Sequence, residues 1–283
     1  MRSGKNIAVL VNPAPQGERP KLVAEQIEVL LKGMDIKHKV FDFSWPDRLD
    51  DFSEAWVVGG DGTLNFFINQ FPELKIPVSI FKAGSGNDFH WMIYGDCTVE
   101  EQVEKILEER TSQVDAGICN GRLFLNGIGI GFDGAIVKDL IGKRKIAGKA
   151  SYLVAIMKNV MSYNEKPCII QLENETIEQD CFMISVANAK RYGGGFHVAP
   201  KAVIDDSLLD VSIIAEISPI KRLRYLPVME KGVHLELPFV KYRQAASVNI
   251  SSPFELHAHA DGEYFSATNF ELEVLPGRFS FLV

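Results

Sequence analysis

The chain has 283 residues, of which 46% are hydrophobic, and its 30 basic and 37 acidic residues give a formal net charge of −7. At roughly 150 residues per domain, this length predicts about two domains. A chain this apolar and this moderately charged is not disordered as a whole, and its acidic balance argues against nucleic acid as the main partner, which would need a dominant basic face.

The first 118 residues alternate short apolar runs with helical patterns, which is typical of a parallel sheet covered by helices. Ile7–Val11 is predicted to be a buried strand, because it is too short for the apolar core of a signal peptide. A helix should follow between Leu22 and Leu31. The other predicted strands are Val40–Phe43, Trp56–Val58 and Ile76–Phe81, and the other predicted helices are Thr63–Phe71 and Val99–Leu107.

Residues 119–276 have a different texture, with short β-rich runs separated by turn residues. Only one good helix, Ser151–Met161, is expected to interrupt them, so we predict a β-sandwich domain. Since no flexible linker is evident, the two halves are expected to pack closely and to leave a ligand cleft. The β-rich runs are Leu123–Ile130, Cys168–Leu172, Phe182–Ala187, Leu209–Ile214, Ser247–Ile250 and Glu271–Leu275.

The four cysteines are far apart in the sequence and show no C-x-x-C spacing. This pattern argues against a disulfide scaffold or a zinc ribbon and fits a reducing compartment. The sequence also has no uninterrupted apolar run of about 18 residues. We therefore expect a soluble, cytoplasmic protein whose contact with membranes is peripheral.

The strongest local signal is the segment Gly59–Asn65, in which an apolar strand runs into Gly-Gly-Asp-Gly-Thr and then a helix. These glycines let the backbone approach a phosphate, and the start of the helix offers unpaired N–H donors. A carboxylate in such a loop would repel phosphate unless a magnesium ion lay between them, so Asp61 indicates Mg-nucleotide chemistry. The alternative is a tight turn in which Asp61 caps the helix.

A second polar turn, Ala83–Phe89, also follows a predicted strand. Because the loops after neighbouring parallel strands meet at one edge of a sheet, this turn can share a site with the first. Taken alone, it is equally well an ordinary turn rich in Gly, Asn and Asp.

A third segment contains the pattern G-x-G-x-x-G between Gly129 and Gly134. A dinucleotide-binding fingerprint would need an acidic residue about 20 positions later, and Lys149–Asn164 lacks one at the required place. A Rossmann dehydrogenase is therefore disfavoured. The notable residue of this segment is Asp133, a third carboxylate in a loop.

Two further acidic segments, Asp205–Asp210 and Asp261–Glu263, are ordinary turns when each is considered alone. His257 and His259 lie on one face of a predicted strand, as a metal-binding pair would need. No third ligand has matching spacing nearby, so zinc binding is disfavoured.

Taken as a set, the motifs resemble the diacylglycerol/sphingosine lipid kinase family, in its bacterial soluble diacylglycerol-kinase-like branch. The resemblance covers nearly the whole chain, and the order of the motifs makes a chance match improbable. The matching segments are Gly59–Asn65, Ser85–Phe89, Asn126–Asp133, Lys143–Tyr152, Gly193–Pro200, Asp205–Asp210 and Asp261–Glu263.

The resemblance implies an N-terminal α/β nucleotide domain similar to that of NAD kinases and phosphofructokinases, and a β-sandwich second domain. It also implies an active site in the cleft between them and a return of residues 277–283 to the first domain. Asp61, Asp88 and Asp133 would form a magnesium-linked acidic network, and either Glu263 or Asp261 would be the base. The residues that would contact ATP are Asn12, Gly59, Gly60, Asp61, Gly62, Thr63, Leu64, Asn65 and Ser85.

In this branch, a structural magnesium would be held by Asp206 and by the main-chain carbonyls of Val203 and Leu208. Ser207 replaces the glycine that is usual after the Asp pair, which weakens this assignment. Two other departures concern the nucleotide. Phe66 stands where the family usually has Glu, and the segment between residues 43 and 56 is too short for the threonine-bearing loop that usually helps to hold the nucleotide.

We therefore expect a kinase that uses ATP and Mg²⁺ and transfers the γ-phosphoryl group to the hydroxyl of a lipid such as diacylglycerol, at a membrane surface. The basic stretch Lys138–Lys149 is either a solvated face or a contact for anionic headgroups. The sequence leaves the lipid undecided and a homodimer open. One alternative is an NAD kinase-like enzyme for a small hydroxyl substrate, and another is a catalytically silent lipid- or nucleotide-binding regulator. The carboxylates that argue against the silent regulator are Asp61, Asp88, Asp133 and Glu263.

Overall fold

The computed structural model describes residues 4–13, 17–141 and 149–283. Contacts between residues divide the chain into two compact units, Met1–Val114 with Gly277–Val283, and Asp115–Pro276. The boundary predicted from the sequence lies at residue 118, with residues 277–283 returning to the first domain. Each unit buries an apolar core of its own.

A parallel sheet with the strand order β4-β3-β1-β2 forms the first unit. Every residue of β3 is buried, as expected for a parallel strand covered on both faces. The strands are β1 (Asn6–Val11), β2 (Lys37–Phe41), β3 (Glu54–Gly59) and β4 (Val78–Lys82), and the helices are α1 (Arg19–Gly33), α2 (Asp61–Gln70), α3 (Asp88–Tyr94) and α4 (Val99–Ile106).

Local sequence signals account for the helix boundaries of this unit. Pro20 stands in the first turn of α1, where its missing N–H costs no hydrogen bond. At α4, the Thr98 hydroxyl accepts from the N–H of Glu101, and the Glu101 carboxylate accepts from the N–H of Thr98, which forms a capping box. Helix α2 begins at Asp61, so it opens directly from the glycine turn. The short helix α3 was not predicted.

The C-terminal residues extend the sheet of the first unit. Phe281 pairs with Val78 of β4 in parallel. The hydroxyl of Tyr94 donates to the carbonyl of Leu282 at 2.7 Å, and the ring centroid of Phe89 lies 5.2 Å from that of Phe281. Both ends of α3 are therefore anchored to the C-terminal segment.

The second unit consists mainly of antiparallel strands, in the order β11-β10-β9-β7-β12-β13, with β8 paired to both β9 and β12. One apolar core lies between the strands and a second lies beneath the helices. The elements are β5 (Thr111–Cys119), β6 (Arg122–Phe124), β7 (Gly127–Gly131), α5 (Phe132–Leu140), α6 (Lys149–Asn159), β8 (Lys166–Leu172), β9 (Glu175–Ala187), β10 (Leu209–Ala215), α7 (Pro219–Glu230), β11 (Val240–Ala245), β12 (Ser247–Ala260) and β13 (Glu263–Leu282).

The prediction of a single helix in this half was wrong, because the described part of the unit contains α5, α6 and α7. Helix α7 was not predicted, because it begins at Pro219 and contains Pro227, and proline inside a segment argues against a helix. The predicted run Leu123–Ile130 is two strands, β6 and β7, joined by a turn.

Within the described ranges, no helix has both the length and the apolar character needed to cross a membrane. Lys143, Arg144 and Lys145, which belong to the predicted basic motif, lie outside the described residues.

Candidate active site

The two glycine-rich turns of the first unit contact each other through their backbones. A β-carbon on Gly84 would lie 2.5 Å from the Cα of Gly60, and one on Gly60 would lie 2.8 Å from the Cα of Gly84. Real β-carbons do not approach other atoms this closely, so only glycine fits at either position. The shared edge predicted from the strand order thus brings the turns together, and it does so by main-chain packing.

Asp61 links these two turns. Its carboxylate oxygens accept hydrogen bonds from the N–H groups of Asp88 at 3.0 Å and Phe89 at 2.9 Å, in the first turn of α3. The N-cap of its own helix, α2, is Gly60 and has no side-chain cap. Asp61 therefore caps α3 and not its own helix. Its negative charge is favourable at the N-terminus of α3.

The second turn is closed by Asn87, which has a left-handed backbone with φ of +54°. The Asn87 amide accepts from the N–H of Gly84 at 2.8 Å and donates to the Gly84 carbonyl at 2.9 Å. Ser85 is consequently exposed at the tip of the turn. The guanidinium of Arg19, at the start of α1, lies 3.5 Å from the same carbonyl and adds a positive charge beside the turn.

Asn12 lies at the same sheet edge, because its N–H donates to the carbonyl of Val58 at 3.0 Å. Asn65 and Thr63 of α2 are buried, and a β-carbon on Gly59 would overlap the Thr63 side chain. The structure therefore gathers the predicted nucleotide-binding residues at the carboxyl ends of β1, β3 and β4, where parallel sheets bind ligands.

In the second unit, Asp133 lies in the first turn of α5 and faces a buried histidine. The Nε2 atom of His259 is 3.1 Å from Oδ2 of Asp133, and both side chains are almost fully buried. The Nδ1 atom of His259 accepts from the N–H of Gly262 at 3.2 Å. Because Nδ1 is an acceptor, Nε2 carries a proton and faces Asp133.

The glycines of the G-x-G-x-x-G pattern serve this packing. A β-carbon on Gly129 would overlap both Asp133 Oδ2 and His259 Nε2, and one on Gly134 would overlap the main chain of His257. The pattern therefore has a structural cause that is unrelated to dinucleotide binding, in agreement with the exclusion made from the sequence.

The ring of Tyr192 packs edge-on against the ring of His259, with centroids 5.1 Å apart. Its hydroxyl donates to the hydroxyl of Ser185 at 3.1 Å. Burial, together with the nearby Asp133 carboxylate, raises the pKa of Tyr192 well above its usual value. Tyr192 thus stays neutral and holds the imidazole in place.

The two predicted candidates for the base have different environments. The Asp261 carboxylate is buried and accepts three main-chain N–H bonds, from Leu125 at 2.8 Å and from Asn126 and Gly127 at 2.9 Å each. It therefore fastens the turn after β12 to the chain between β6 and β7. Glu263, at the start of β13, is exposed.

The predicted magnesium segment forms a tight acidic turn. Ser207 has a left-handed backbone with φ of +61°, which favours the glycine usual in the family. Its N–H donates to Asp115 at 2.7 Å, and the N–H of Leu208 donates to Asp206 at 3.1 Å. Burial raises the pKa of the neighbouring Asp210.

In the part of the chain that the structure describes, no three His, Cys, Asp or Glu side chains are grouped as a metal site. The predicted structural magnesium site would use one carboxylate and two main-chain carbonyl oxygens, so it would not form such a group of side chains. Its oxygen donors are those that Mg²⁺ prefers, and it stays a prediction.

An apolar pocket in the second unit has Asp133 in its wall. Nineteen residues line it, and its other charged residue is Arg222. The apolar lining comes from the second core, including Phe182, Phe196 and Ile156. The cavity has a volume of about 50 Å³, and its lining suits a short hydrocarbon segment with a carboxylate beside it.

Arg222 holds the helical wall of this pocket. Its guanidinium donates to the carbonyls of Ile217, Val160 and Tyr163 at 2.8–3.0 Å and pairs with Glu165 at 2.5 Å. The charge is thus fully engaged in joining α7 to the chain after α6, and it is not presented to a ligand.

Two protein-family models match the chain. The "Diacylglycerol kinase catalytic domain" matches residues 6–119, and the "YegS C-terminal NAD kinase beta sandwich-like domain" matches residues 126–283, more than half of the chain. The chain belongs to the YegS-like diacylglycerol kinase family. The family, the fold class and the assignment as a kinase with an alcohol acceptor, all predicted from the motifs, are thereby confirmed.

The names of individual relatives agree with this family assignment. A diacylglycerol kinase of Mycobacterium tuberculosis is 28% identical over 80% of this chain and 75% of its own length. A "Probable lipid kinase YegS-like" of Shewanella frigidimarina is 24% identical over 83% of this chain and 77% of its own length.

Solved structures show the same fold. A diacylglycerol kinase from Bacillus anthracis has a TM-score of 0.72 at 19% identity and covers 98% of this chain and 96% of its own. An NAD kinase from Archaeoglobus fulgidus in complex with ATP has a TM-score of 0.59 at 16% identity, covering 98% and 93%.

Sequence reasoning missed several of the residues described above. His259 was considered only as half of a metal pair, and Tyr192 and Arg19 were not considered at all. Tertiary contacts set the position of each of these residues. For His259, a local signal was its place in a strand two residues before the Asp-Gly turn.

Proposed function

We propose that the chain transfers the γ-phosphoryl group of ATP, in its magnesium complex, to the hydroxyl of a lipid such as diacylglycerol. The hydroxyl oxygen forms a bond to the γ-phosphorus, and the bond from that phosphorus to the β–γ bridging oxygen breaks. ADP leaves, and the hydroxyl proton passes to a carboxylate. Positioning and charge stabilisation supply most of the catalysis in such transfers.

Under this proposal, the first unit binds the phosphates. The turn at Gly60 opens into the N-terminus of α2, which has no side-chain cap, and a helix N-terminus favours anions. Asn12 and Ser85 lie at the same edge, and Arg19 adds a cation that can neutralise part of the phosphate charge.

Magnesium would neutralise charge that develops between the β- and γ-phosphates. Carboxylate oxygens are its preferred protein ligands. The carboxylates of Asp61 and Asp88 lie together in the first unit and Asp133 lies in the second, and a separate structural ion would be held by Asp206 and the carbonyls of Val203 and Leu208.

The apolar pocket with Asp133 in its wall is the observation that supports a lipid substrate. An acyl chain buried there gains about 0.8 kcal/mol per CH₂ group, whereas a small polar substrate gains nothing from such a lining. The pocket therefore favours a lipid over the NAD kinase-like alternative, although the solved NAD kinase shares the fold.

For the base, we propose Glu263. Three main-chain N–H groups hold the Asp261 carboxylate in its role as an anchor, which leaves it poorly placed to take up a proton. Glu263 is exposed at the end of the turn that Asp261 fixes. Retention of these carboxylates argues against a silent regulator.

Peripheral contact with a membrane is part of the proposal. Ile156 and Val160 face the pocket from α6 and the residue after it, while Val154, Met157 and Met161 are exposed on the same segment. Exposed apolar side chains on a helix that walls a lipid pocket would let it rest on a bilayer surface.

The test is a phosphorylation assay with γ-labelled ATP, magnesium and either diacylglycerol in vesicles or NAD. We expect label in the lipid. Leu226→Trp fills the pocket and should reduce lipid turnover, whereas Ile220→Trp makes the same change on the exposed side of α7 and should leave turnover unchanged. Label in NAD alone, or equal effects of the two variants, would contradict the proposal.

A further inference from the structure

Two aromatic side chains meet near the carboxyl end of β1. The ring centroid of Trp45, in the loop after β2, lies 5.2 Å from that of Phe66 and 5.9 Å from that of Phe67. Phe67 is fully buried in the core, but Phe66 is 52% exposed and Trp45 is half-buried. The pair therefore presents aromatic surface to the solvent.

A hydrogen bond fixes Trp45 at this place. Its indole N–H donates to the carbonyl of Val11 at 2.7 Å. Val11 is the last residue of β1 and is paired with Val58 of β3, which directly precedes the Gly59 turn. Since neighbouring strands lie about 4.8 Å apart, the indole is held roughly one strand away from the glycine turns.

The chemistry of this edge separates into two parts. The glycine turns offer N–H donors and a helix N-terminus, which suit phosphates. The neighbouring position offers aromatic faces, which suit the flat ring of a nucleobase. A nucleoside triphosphate carries both groups on one molecule, joined through a ribose.

We infer that Trp45 and Phe66 form the surface on which the purine ring of the nucleotide stacks. This inference rests on the nucleotide use proposed above and adds residues that hold the base. Stacking accepts any base with a π-face, so it provides affinity without reading hydrogen-bonding groups on the ring. The loop between residues 42 and 53 would then contribute a stacking surface in place of polar contacts.

The experiment compares two ligands in the same magnesium buffer, ATP and inorganic tripolyphosphate, which lacks the base and the ribose. Their dissociation constants are measured by calorimetry on the full chain. Trp45→Ala should weaken ATP binding by about 5- to 150-fold, the range for loss of one base–aromatic stack. Phe66→Ala should weaken it in the same direction, and both variants should bind tripolyphosphate within about twofold of the wild type.

Two further variants guard against a mere folding effect. Trp45→Phe keeps an aromatic face and loses the bond to Val11, so it should lie between wild type and Trp45→Ala. Phe43→Ala removes an 86% exposed ring from the same loop and should leave ATP binding unchanged. Melting temperatures are recorded for each variant.

The inference is overturned if Trp45→Ala and Phe66→Ala bind ATP like the wild type, or if ATP and tripolyphosphate weaken equally, since the rings would then only support the loop. A wild-type chain that binds neither ligand overturns the nucleotide use itself. The stacking surface is supported if Trp45→Ala and Phe66→Ala lose affinity for ATP but not for tripolyphosphate, and if Phe43→Ala binds ATP like the wild type.

Discussion

The two units build their candidate site residues by different means. In the first unit, Gly60 and Gly84 meet backbone to backbone, and the predicted nucleotide contacts lie in the turns after β1, β3 and β4 and at the start of α2. In the second unit, the buried side chains of Asp133 and His259 face each other, and the buried carboxylate of Asp261 holds main-chain N–H groups. Short glycine motifs are therefore informative about the first unit, whereas the second can be understood only from its tertiary contacts.

The largest expected effect concerns two carboxylates of the second unit. It distinguishes the proposed base, Glu263, from the structural anchor, Asp261. Glu263→Gln should lower kcat by about 10²- to 10⁴-fold, the usual contribution of a positioned base, with an unchanged melting temperature because the side chain is exposed. Affinity for an ATP analogue should not change, since nucleotide binding does not need the proton transfer.

Asp261→Asn is the matched variant. Three main-chain N–H groups face this carboxylate, and an amide has one acceptor oxygen, so at least one donor loses its partner at a cost of about 1–3 kcal/mol. The melting temperature should fall by several degrees. If Asp261→Asn melts normally while its kcat falls and Glu263→Gln is fully active, the two roles are reversed.

Asp61 is the exception in the backbone-built first unit, because it is a side chain at the centre of the glycine turns. Asp61→Asn should lower kcat by about a hundredfold or more if its charge serves the nucleotide. It should also lose one of two bonds to the start of α3, about 1 kcal/mol and roughly 2–4 °C in melting temperature.

Asn87→Ala provides the control, since it loosens the same turn and leaves the charge of Asp61 in place. Its loss of stability should be at least as large, because it removes two hydrogen bonds, and its loss of activity should be much smaller. Near-normal turnover by Asp61→Asn, together with a lower melting temperature, would show that Asp61 is a structural cap alone.

The sequence predicted the parallel sheet and most strands, because buried strands in such sheets are continuous apolar runs, such as Ile7–Val11. It could not show that Asp61 caps α3, since the bond joins residues 27 positions apart. For Asp261, the separation is 136 residues, and the dipeptide Asp-Gly looks like any turn. Nor could it show that Trp45 and Phe66, in two segments that depart from the family pattern, contact each other.

The difference between backbone and side-chain construction can be measured with two glycines. Gly84→Ala and Gly129→Ala both insert a methyl group into occupied space and should each cost about 1–3 kcal/mol of unfolding free energy. At Gly84 the obstacle is the main chain of Gly60, which no substitution removes. At Gly129 the obstacles are the side chains of Asp133 and His259, which can be shortened.

The double variant Gly129→Ala with His259→Ala should therefore cost less than the sum of the two single changes, by about 0.5–3 kcal/mol in a denaturant titration. Gly84→Ala allows no comparable relief, because its nearest obstacle is the main chain of Gly60. Gly33→Ala, which meets open space at the end of α1, is the reference without a steric obstacle. Strict additivity at Gly129 would mean that its neighbours are as immobile as backbone, and the contrast between the units would fail.

The smallest expected effect lies in the acidic turn at Ser207. A left-handed conformation costs a non-glycine residue about 1–2 kcal/mol, and the extra freedom of glycine in the unfolded chain offsets about 0.5–1 kcal/mol of this. Ser207→Gly should therefore raise the melting temperature by about 1–4 °C. The bond to Asp115 is kept, because the main-chain N–H of residue 207 donates it.

The same turn allows a test of the structural magnesium. A ligand that binds only the folded chain raises the melting temperature, so added Mg²⁺ should stabilise both the wild type and Ser207→Gly relative to EDTA. Asp206→Ala removes the one predicted side-chain ligand and should abolish that increment. Asp35→Gly relieves a similar left-handed residue in the first unit and should gain stability without altering the response to Mg²⁺. An Mg²⁺ increment that survives Asp206→Ala would place the ion elsewhere, and Ser207 would then be only a strained turn residue.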